Sequence, residues 1–244
     1  MTTVRCKRCG MVCDIDMPEY VTEAFASQGK EFPWLCSSCF DSAEAEREEK
    51  ERQSDYDEQV VLDEEVIRAG VRPAYAVRQP LVPFVADWLL RHRGRNIVLS
   101  GETGTGKSTS AGYMVRELLR DHNTVGCYYF VELLDKWREV RCDHDNPYAI
   151  KDMFRAIEED DYVFIDECAG KNVNSDSSRE FMYRLLEDVN NGIFQGKLIL
   201  LGNFYTGAVK EIFGDEAPSM RRIRENFVCG RIDPVKQKIN PIFR

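Results

Sequence analysis

A glycine-rich loop between an apolar strand and a helix constrains the fold of this 244-residue chain more than any other feature. The strand-like residues Ile97 to Ser100 lead directly into G-x-x-x-x-G-K-S, and a helical pattern follows. Glycines let backbone N–H groups converge on phosphate oxygens without interference from side chains. The helix that begins near Lys107 directs its positive end toward the same anion. The sequence therefore predicts a nucleoside triphosphate site on an α/β sheet.

The side chains of this loop have separate predicted roles, and ATP and Mg²⁺ are the expected cofactors. Lys107 is expected to neutralise the β- and γ-phosphates, and the Ser108 hydroxyl is expected to bind Mg²⁺. A Gly/Ser/Thr-rich turn that binds nothing is the alternative, and the flanking strand and helix disfavour it. The predicted nucleotide-binding residues are Gly101, Glu102, Thr103, Gly104, Thr105, Gly106, Lys107, Ser108 and Thr109.

Polar residues at the ends of two further apolar strands are candidates for catalysis. Tyr162 to Asp166 reads as a buried parallel strand, and ligands of such sheets bind at the carboxyl ends of the strands. Asp166 is expected to orient the Mg²⁺ hydration shell and Glu167 to polarise the attacking water; capping of the next loop is the alternative. Asn203, after the strand Lys197 to Gly202, is expected to contact the water or the γ-phosphate, or else to form a turn.

Two Cys-x-x-Cys pairs near the N-terminus predict a structural zinc site formed by Cys6, Cys9, Cys36 and Cys39. Each pair offers two thiolates from one tight turn. A segment of about 40 residues buries too little apolar surface to fold without such a cross-link. Cys13 is a spare thiol that could replace one ligand, and redox or buried thiols are the alternative.

Charge is segregated along the chain. Residues 41–65 contain twelve acidic and three basic residues, which account for the whole net charge of −9. Residues 219–244 contain seven basic and two acidic residues, so an acidic chain does not exclude nucleic acid as a partner. The acidic run is predicted to be a solvated helix with the ion pairs Glu46–Lys50 and Glu48–Arg52.

Three regions are predicted from these features: a zinc-binding module over 1–42, an acidic helical linker over 43–79, and an ATPase domain over 80–244. No apolar run approaches the roughly 20 residues of a membrane span, and the polar N-terminus does not resemble a signal peptide. We therefore expect a soluble cytoplasmic protein in which disulfides are rare.

The order of motifs resembles the AAA+ ATPases of the replicative-helicase-loader group (DnaC/DnaI-like) and their IstB-like transposition relatives. The resemblance covers about residues 80–235 and is carried by 101–109, 164–167, 201–203 and 222–225. It implies a P-loop AAA+ (ASCE) fold, that is, an α/β parallel sheet flanked by helices, without a C-terminal lid. A Cys₄ module before an acidic linker also resembles the helicase-binding end of some loaders.

The resemblance further implies catalytic roles for Lys107, Asp166, Glu167, Asn203 and Arg222. Arg222 matches an arginine finger that acts on ATP of a neighbouring subunit, which implies an ATP-dependent homo-oligomer; Arg221 beside it could take the same role. In the helix 132–141, Lys136, Arg138 and Arg141 could follow phosphates of single-stranded DNA, with Trp137 stacking on a base, or Trp137 could belong to the core.

The function expected from the resemblance is that of an ATP-dependent helicase loader in DNA replication. Its predicted partners are a replicative helicase, bound by the zinc module, and single-stranded DNA. Two alternatives remain at this point: an IstB-like ATPase that activates a transposase, and an adaptor that binds nucleotide without hydrolysing it.

Overall fold

The computed structural model of the protein describes residues 2–15, 27, 34–142, 148–168, 175–204 and 223–242. The chain forms two compact units, Met1–Val60 and Val61–Arg244. The predicted boundaries after residues 42 and 79 remain a prediction. Among the described residues, no helix is long and apolar enough to cross a membrane.

The first unit contains an antiparallel hairpin and most of a long helix. Strand β1 (Thr2–Arg5) pairs with β2 (Val12–Ile15), and the turn between them has Gly10 at φ +75°. Helix α1 (Ser37–Arg68) begins at the residue after Cys36, the first cysteine of the second pair. The amide of Phe40 donates to the Cys36 carbonyl at the start of this helix. The two cysteine pairs are therefore presented by a hairpin turn and by a helix N-terminus.

The acidic run is helical, as its sequence predicts, but its ion pairs differ from the predicted ones. Glu46 pairs with Arg8 of the hairpin at 2.5 Å instead of with Lys50, and Arg52 pairs with Glu49 instead of with Glu48. The prediction of these two pairs was wrong because exposed i,i+3 and i,i+4 partners differ by only a few tenths of a kcal/mol. A contact across the unit therefore decides which partner Glu46 takes.

The second unit is built on a six-stranded sheet in the order β4-β5-β6-β3-β7-β8. Neighbouring strands are parallel, except that β8 is antiparallel to β7. The strands are β3 (Asn96–Ser100), β4 (Val125–Tyr129), β5 (Tyr162–Asp166), β6 (Lys197–Gly202), β7 (Phe227–Asp233) and β8 (Lys238–Pro241).

Helices cover both faces of this sheet, as buried parallel strands require. They are α2 (Pro83–Arg91), α3 (Lys107–Arg120), α4 (Phe130–Cys142), α5 (Ala149–Glu158) and α6 (Asp176–Asn190). The side chains of β3 alternate between two apolar clusters: Ile97 and Leu99 pack with α2 and α3, and Val98 faces the cluster of α4, α5 and α6. The sheet is thus the middle of three layers.

Trp137 belongs to the core. Its side chain is 2% exposed and contacts the rings of Phe154 and Phe181 edge-on, with centroids 5.7 and 5.9 Å away. The predicted alternative, stacking of Trp137 on a nucleic-acid base, is wrong because the apolar face of α4 turns inward. Lys136 and Arg138 are exposed on the other face of that helix.

Candidate functional site

The carboxyl ends of three adjacent strands bring the candidate residues to one edge of the sheet. Strand β6 lies between β3 and β5, and Ser100 is paired in register with Gly202. The glycine-rich loop follows β3, Asp166 ends β5, and Asn203 follows β6. The amide of Gly101 donates to the carbonyl of Gly202 at 3.1 Å, so the start of the loop is fixed to β6.

The loop has the backbone that its glycines were expected to provide. Gly104 and Gly106 have φ of +81° and +84°, and Gly106 is the residue before the first turn of α3. A Cβ on Gly106 would lie 2.4 Å from Val82 Cγ2, so a side chain there meets both backbone strain and a close neighbour. The Thr105 hydroxyl donates to the Glu102 carbonyl at 2.8 Å and closes the loop on itself.

The side chain of Lys107 is held against the backbone of the loop. Its Nζ donates to the carbonyl oxygens of Gly101 and Glu102 at 2.7 and 2.8 Å. Burial lowers the pKa of this ammonium group, and the Asp166 carboxylate offsets part of that shift. A half-buried cation beside the amides of a helix N-terminus is an arrangement suited to a polyanion.

Ser108 and Asp166 meet although they are distant in sequence. Ser108 Oγ donates to Asp166 Oδ2 at 2.5 Å, which joins the first turn of α3 to the end of β5. The other carboxylate oxygen, Oδ1, accepts from the Glu167 amide at 2.7 Å. A hydroxyl and a carboxylate side by side are oxygen donors of the kind that Mg²⁺ prefers, so these residues fit the predicted ion.

Glu167 has an unusual backbone conformation and an unexpected partner. Its φ is +60°, a left-handed value that non-glycine residues seldom adopt and that is concentrated at functional sites. Its side chain is about half exposed, and Oε1 lies 3.5 Å from Nη1 of Arg72. Asn203 is exposed at the same edge of the sheet, whereas Arg221 and Arg222 lie outside the described residues.

The four predicted zinc ligands are together in the first unit. The Sγ atoms of Cys6, Cys9, Cys36 and Cys39 all lie within 4.8 Å of one another. Cys9 Sγ and Cys36 Sγ are 3.7 Å apart, close to the roughly 3.8 Å between ligands of a tetrahedral ion with Zn–S bonds of about 2.3 Å. The cluster is consistent with a closed zinc module with four sulfur ligands. The Cys13 side chain lies outside the described part of the chain.

Polar contacts within the cluster perturb its thiols in opposite directions. Hydrogen bonds from backbone amides, that of Cys36 foremost, lower the pKa of Cys6 to about 6. Hydrogen bonding with neighbouring thiols, that of Cys36 foremost, raises the pKa of Cys39 to about 12. The Cys36 amide lies 3.4 Å from Cys6 Sγ, which is the amide-to-sulfur contact expected around a thiolate ligand.

Several solved structures resemble the chain, among them three proteins of DNA replication. A DNA replication initiation factor has a TM-score of 0.50 and 15% identity over 67% of this chain, which spans about half (51%) of that one. The DnaC helicase loader has a TM-score of 0.47 and 12% identity over 61% of this chain and 86% of its own. DnaI has a TM-score of 0.46 and 14% identity, and the match covers 66% of this chain and 81% of DnaI. No protein-family model and no curated protein sequence matches the chain.

The second unit has the AAA+ fold. Its six-stranded, mostly parallel sheet and the helices that flank it match AAA+ domains. At sequence identities of 12 to 15%, the similarity shows a shared fold and nothing more. Roles of individual residues in this AAA+ domain therefore depend on the geometry of the chain itself.

The sequence did not identify one residue that the AAA+ domain brings to its candidate site. Arg72 lies in the segment that was predicted to be linker, yet its guanidinium contacts Glu167 and lies over the Tyr129 ring, 3.5 Å from the centroid. The segment has no periodic pattern, and a single arginine before a proline carries no signal for a contact about 95 residues away.

Proposed function

We propose that the protein is an ATPase that binds Mg²⁺-ATP in its AAA+ domain. The hydrogen bond between Ser108 and Asp166 carries this proposal, because it joins the two predicted Mg²⁺ ligands at the mouth of the phosphate loop. Bound Mg²⁺ would supply positive charge to the β- and γ-phosphates. Lys107 would hold the phosphates, and Glu167, the residue after Asp166, would orient and polarise the attacking water.

The finer proposal is a helicase loader of DNA replication that acts in the cytoplasm as an ATP-dependent oligomer. Support comes from the motifs that resemble the loader group and from an AAA+ fold shared with a DNA replication initiation factor. The zinc module would bind the replicative helicase. In the first unit, Met11, Val12 and Phe40 are 52 to 56% exposed, and exposed apolar side chains are a common feature of protein-binding surfaces.

Contact with single-stranded DNA is part of the same proposal, but it now depends on fewer groups. Lys136 remains exposed on α4, while Arg138 pairs with Asp135 at 2.8 Å and Arg141 with Glu180 at 2.5 Å. These are exposed pairs that phosphate oxygens can replace at small cost. Arg222 would supply a finger to ATP of the adjacent subunit, and Asn203 would contact the γ-phosphate or the water.

The ATPase proposal is tested by comparing the full chain with Glu167→Gln. We expect the variant to bind ATP as the parent does, by calorimetry with magnesium, while steady-state phosphate release falls by at least about 100-fold. The neutral amide keeps the shape of the side chain but cannot polarise water. Equal turnover in the two proteins would refute the role of Glu167, and absence of heat with the parent would refute nucleotide binding altogether.

The partner proposal is tested with the full chain carrying Cys36→Ser and Cys39→Ser. We expect loss of zinc, loss of co-purification with the replicative helicase of the source cell, and unchanged ATP affinity. Helicase binding that persists without zinc would contradict a role for the module in partner recognition. A matched control, Cys229→Ser, changes a thiol of the second unit and is expected to bind the helicase normally.

A further inference from the structure

Arg72 connects three side chains around the candidate general base. Its Nη1 lies 3.5 Å from Glu167 Oε1, and its Nη2 lies 3.7 Å from Glu132 Oε1. The guanidinium stacks on Tyr129, and the Arg72 amide donates to the hydroxyl of the same tyrosine at 3.4 Å. Tyr129 is paired in register with Asp166, so this cluster adjoins the proposed Mg²⁺ ligands directly.

The backbone that carries Arg72 is held tightly against the AAA+ domain. We refer to residues 69–75 as the strap. The amide of Cys127 donates to the carbonyl of Ala69 at 2.7 Å, so the strap is bonded to the edge strand β4. A Cβ on Gly70 would lie 2.2 Å from the Cys127 carbonyl oxygen, and one on Gly112 of α3 would lie 2.0 Å from that of Tyr75. The position of the Arg72 backbone is thus set by two close backbone contacts.

The geometry points to Arg72 as a positioning residue that restrains Glu167 and keeps basal hydrolysis low, an inference that rests on the proposed ATPase function. A general base must turn a free carboxylate oxygen toward water. Oε1 of Glu167 is instead paired with a cation whose plane is fixed by the Tyr129 ring. The backbone of Glu167, at φ +60°, limits the other directions that its side chain can take. Release from Arg72 would free the whole Glu167 carboxylate to turn toward water, so hydrolysis is expected to be faster in the released state.

Glu132 offers the alternative partner that makes such a release inexpensive. It lies in the first turn of α4, directly after β4, and its side chain is 72% exposed, compared with 52% for Glu167. Both carboxylates face the same guanidinium at distances that differ by only 0.2 Å (3.5 and 3.7 Å). Arg72 can accordingly pass from Glu167 to Glu132 without becoming unpaired, and Glu132 favours the released state of Glu167.

The test is the steady-state ATPase of full-length Arg72→Ala, Arg72→Lys and Glu132→Gln. Removing the guanidinium is expected to raise kcat about two- to fivefold with KM for ATP unchanged, the size expected for an exposed ion pair. Lysine keeps the charge and is expected to restore most of the restraint. Glu132→Gln is expected to lower kcat by a similar factor, and to have no effect in the Arg72→Ala background.

The controls separate restraint from mere stability and from the proposed function. Arg93→Ala removes a comparably exposed arginine, paired with Asp121 at 2.8 Å, and is expected to leave kcat and KM unchanged. If Arg72→Ala lowers kcat or leaves it unchanged while ATP binding and thermal midpoint are retained, the inference is overturned. If Arg72→Ala does not fold, the other two variants decide: kcat close to the parent value in Arg72→Lys together with a lower kcat in Glu132→Gln supports the inference, and an unchanged or higher kcat in Glu132→Gln overturns it. Hydrolysis that survives Glu167→Gln overturns both the proposed function and this inference.

Discussion

At the scale of single residues, the hydroxyl of Ser108 is the group that connects the two halves of the candidate site. The first turn of α3 fixes its backbone, and the end of β5 supplies the Asp166 carboxylate, whose Oδ2 accepts a hydrogen bond from Ser108 Oγ at 2.5 Å. Because α3 and β5 belong to different parts of the chain, this one contact reports whether the phosphate loop and the acidic strand are assembled. An ion between them would share both oxygens.

Ser108→Ala should weaken ATP binding in magnesium by about 10- to 100-fold, the usual cost of losing a partner at a metal site. Binding measured in EDTA should change little, because Lys107 and the loop backbone remain. Calorimetric titrations with and without magnesium give the two affinities. A loss of equal size under both conditions would mean that Ser108 supports the loop and not the ion.

At the scale of secondary-structure elements, a buried arginine ties α1 to α3. The Arg116 side chain is fully buried, donates to the Val77 carbonyl at 3.2 Å and pairs with Asp63 of α1. Arg78 donates to the same Asp63 carboxylate at 2.5 Å. Burial raises the pKa of Asp63, but the bonds and charges of the two arginines outweigh it, so the net effect lowers this pKa.

Asp63→Ala is expected to destabilise the second unit by about 3 kcal/mol, because it leaves the buried charge of Arg116 without its carboxylate. The value is at the lower end for buried pairs since Asp63 is itself 32% exposed. Urea unfolding followed by tryptophan fluorescence measures the change. Arg78→Ala, which removes the more exposed partner, is the matched control and is expected to cost less than about 1 kcal/mol.

The same pair makes stability depend on pH in a defined direction. A carboxylate whose pKa is lower in the folded state stabilises the fold above its unfolded pKa, and this stabilisation is lost as pH falls through the folded value. We therefore expect the parent to lose stability as pH falls below about 4, the usual pKa of Asp. Asp63→Ala should show a smaller loss over that range; parallel acid titrations would contradict the assignment.

Elements with a strong local signal were predictable, and those defined by distant partners were not. The apolar run 162–166 and the loop before Lys107 were located to within a residue because strand, glycines and helix reinforce one another. The strap was predicted to be linker, although Val71 is buried, because its packing on β4 leaves no periodic trace. Strand β8 was not identified because it is short and carries no motif. Helix α6 was overlooked although its sequence carries a signal, a Ser175 cap followed by apolar residues at helical spacing such as Phe181 and Leu185.

Site residues divided along the same line. The meeting of Ser108 with Asp166 follows from a parallel sheet, whose strand ends share one edge, and could be anticipated from the motifs. The contact of Arg72 with Glu167 could not, because it depends on the path of an irregular segment. Sequence patterns state which groups lie at strand ends; they do not state which charges approach from elsewhere.

On the scale of the whole molecule, two units are joined by one continuous helix, α1, and are expected to fail separately. Chelation of zinc from the full chain should unfold the first unit, because zinc contributes about 10–16 kcal/mol to small modules of this kind. Limited proteolysis with mass spectrometry should show new cuts within residues 1–36. ATP affinity should persist, and its loss on chelation would contradict independent units.

Assembly supplies a prediction for the arginine that lies outside the described residues. If Arg222 acts on ATP of a neighbour, ATPase per subunit should rise with protein concentration in the parent and should stay flat in Arg222→Ala. At high protein concentration, the ATPase rate per subunit of Arg222→Ala is expected to be lower than that of the parent by about 10³-fold or more. An effect confined to Arg221→Ala would move the finger by one residue, and flat profiles in every protein would argue for action within one subunit.

The borders of the central sheet also limit how copies of this chain can associate. On one side the amide of Cys127 in β4 is already occupied by the Ala69 carbonyl, and on the other the short antiparallel β8 ends in Pro241. Backbone groups that are engaged, or that proline removes, cannot template another chain. Growth by strand addition is thereby discouraged, which leaves side-chain surfaces as the expected contacts between copies of the chain.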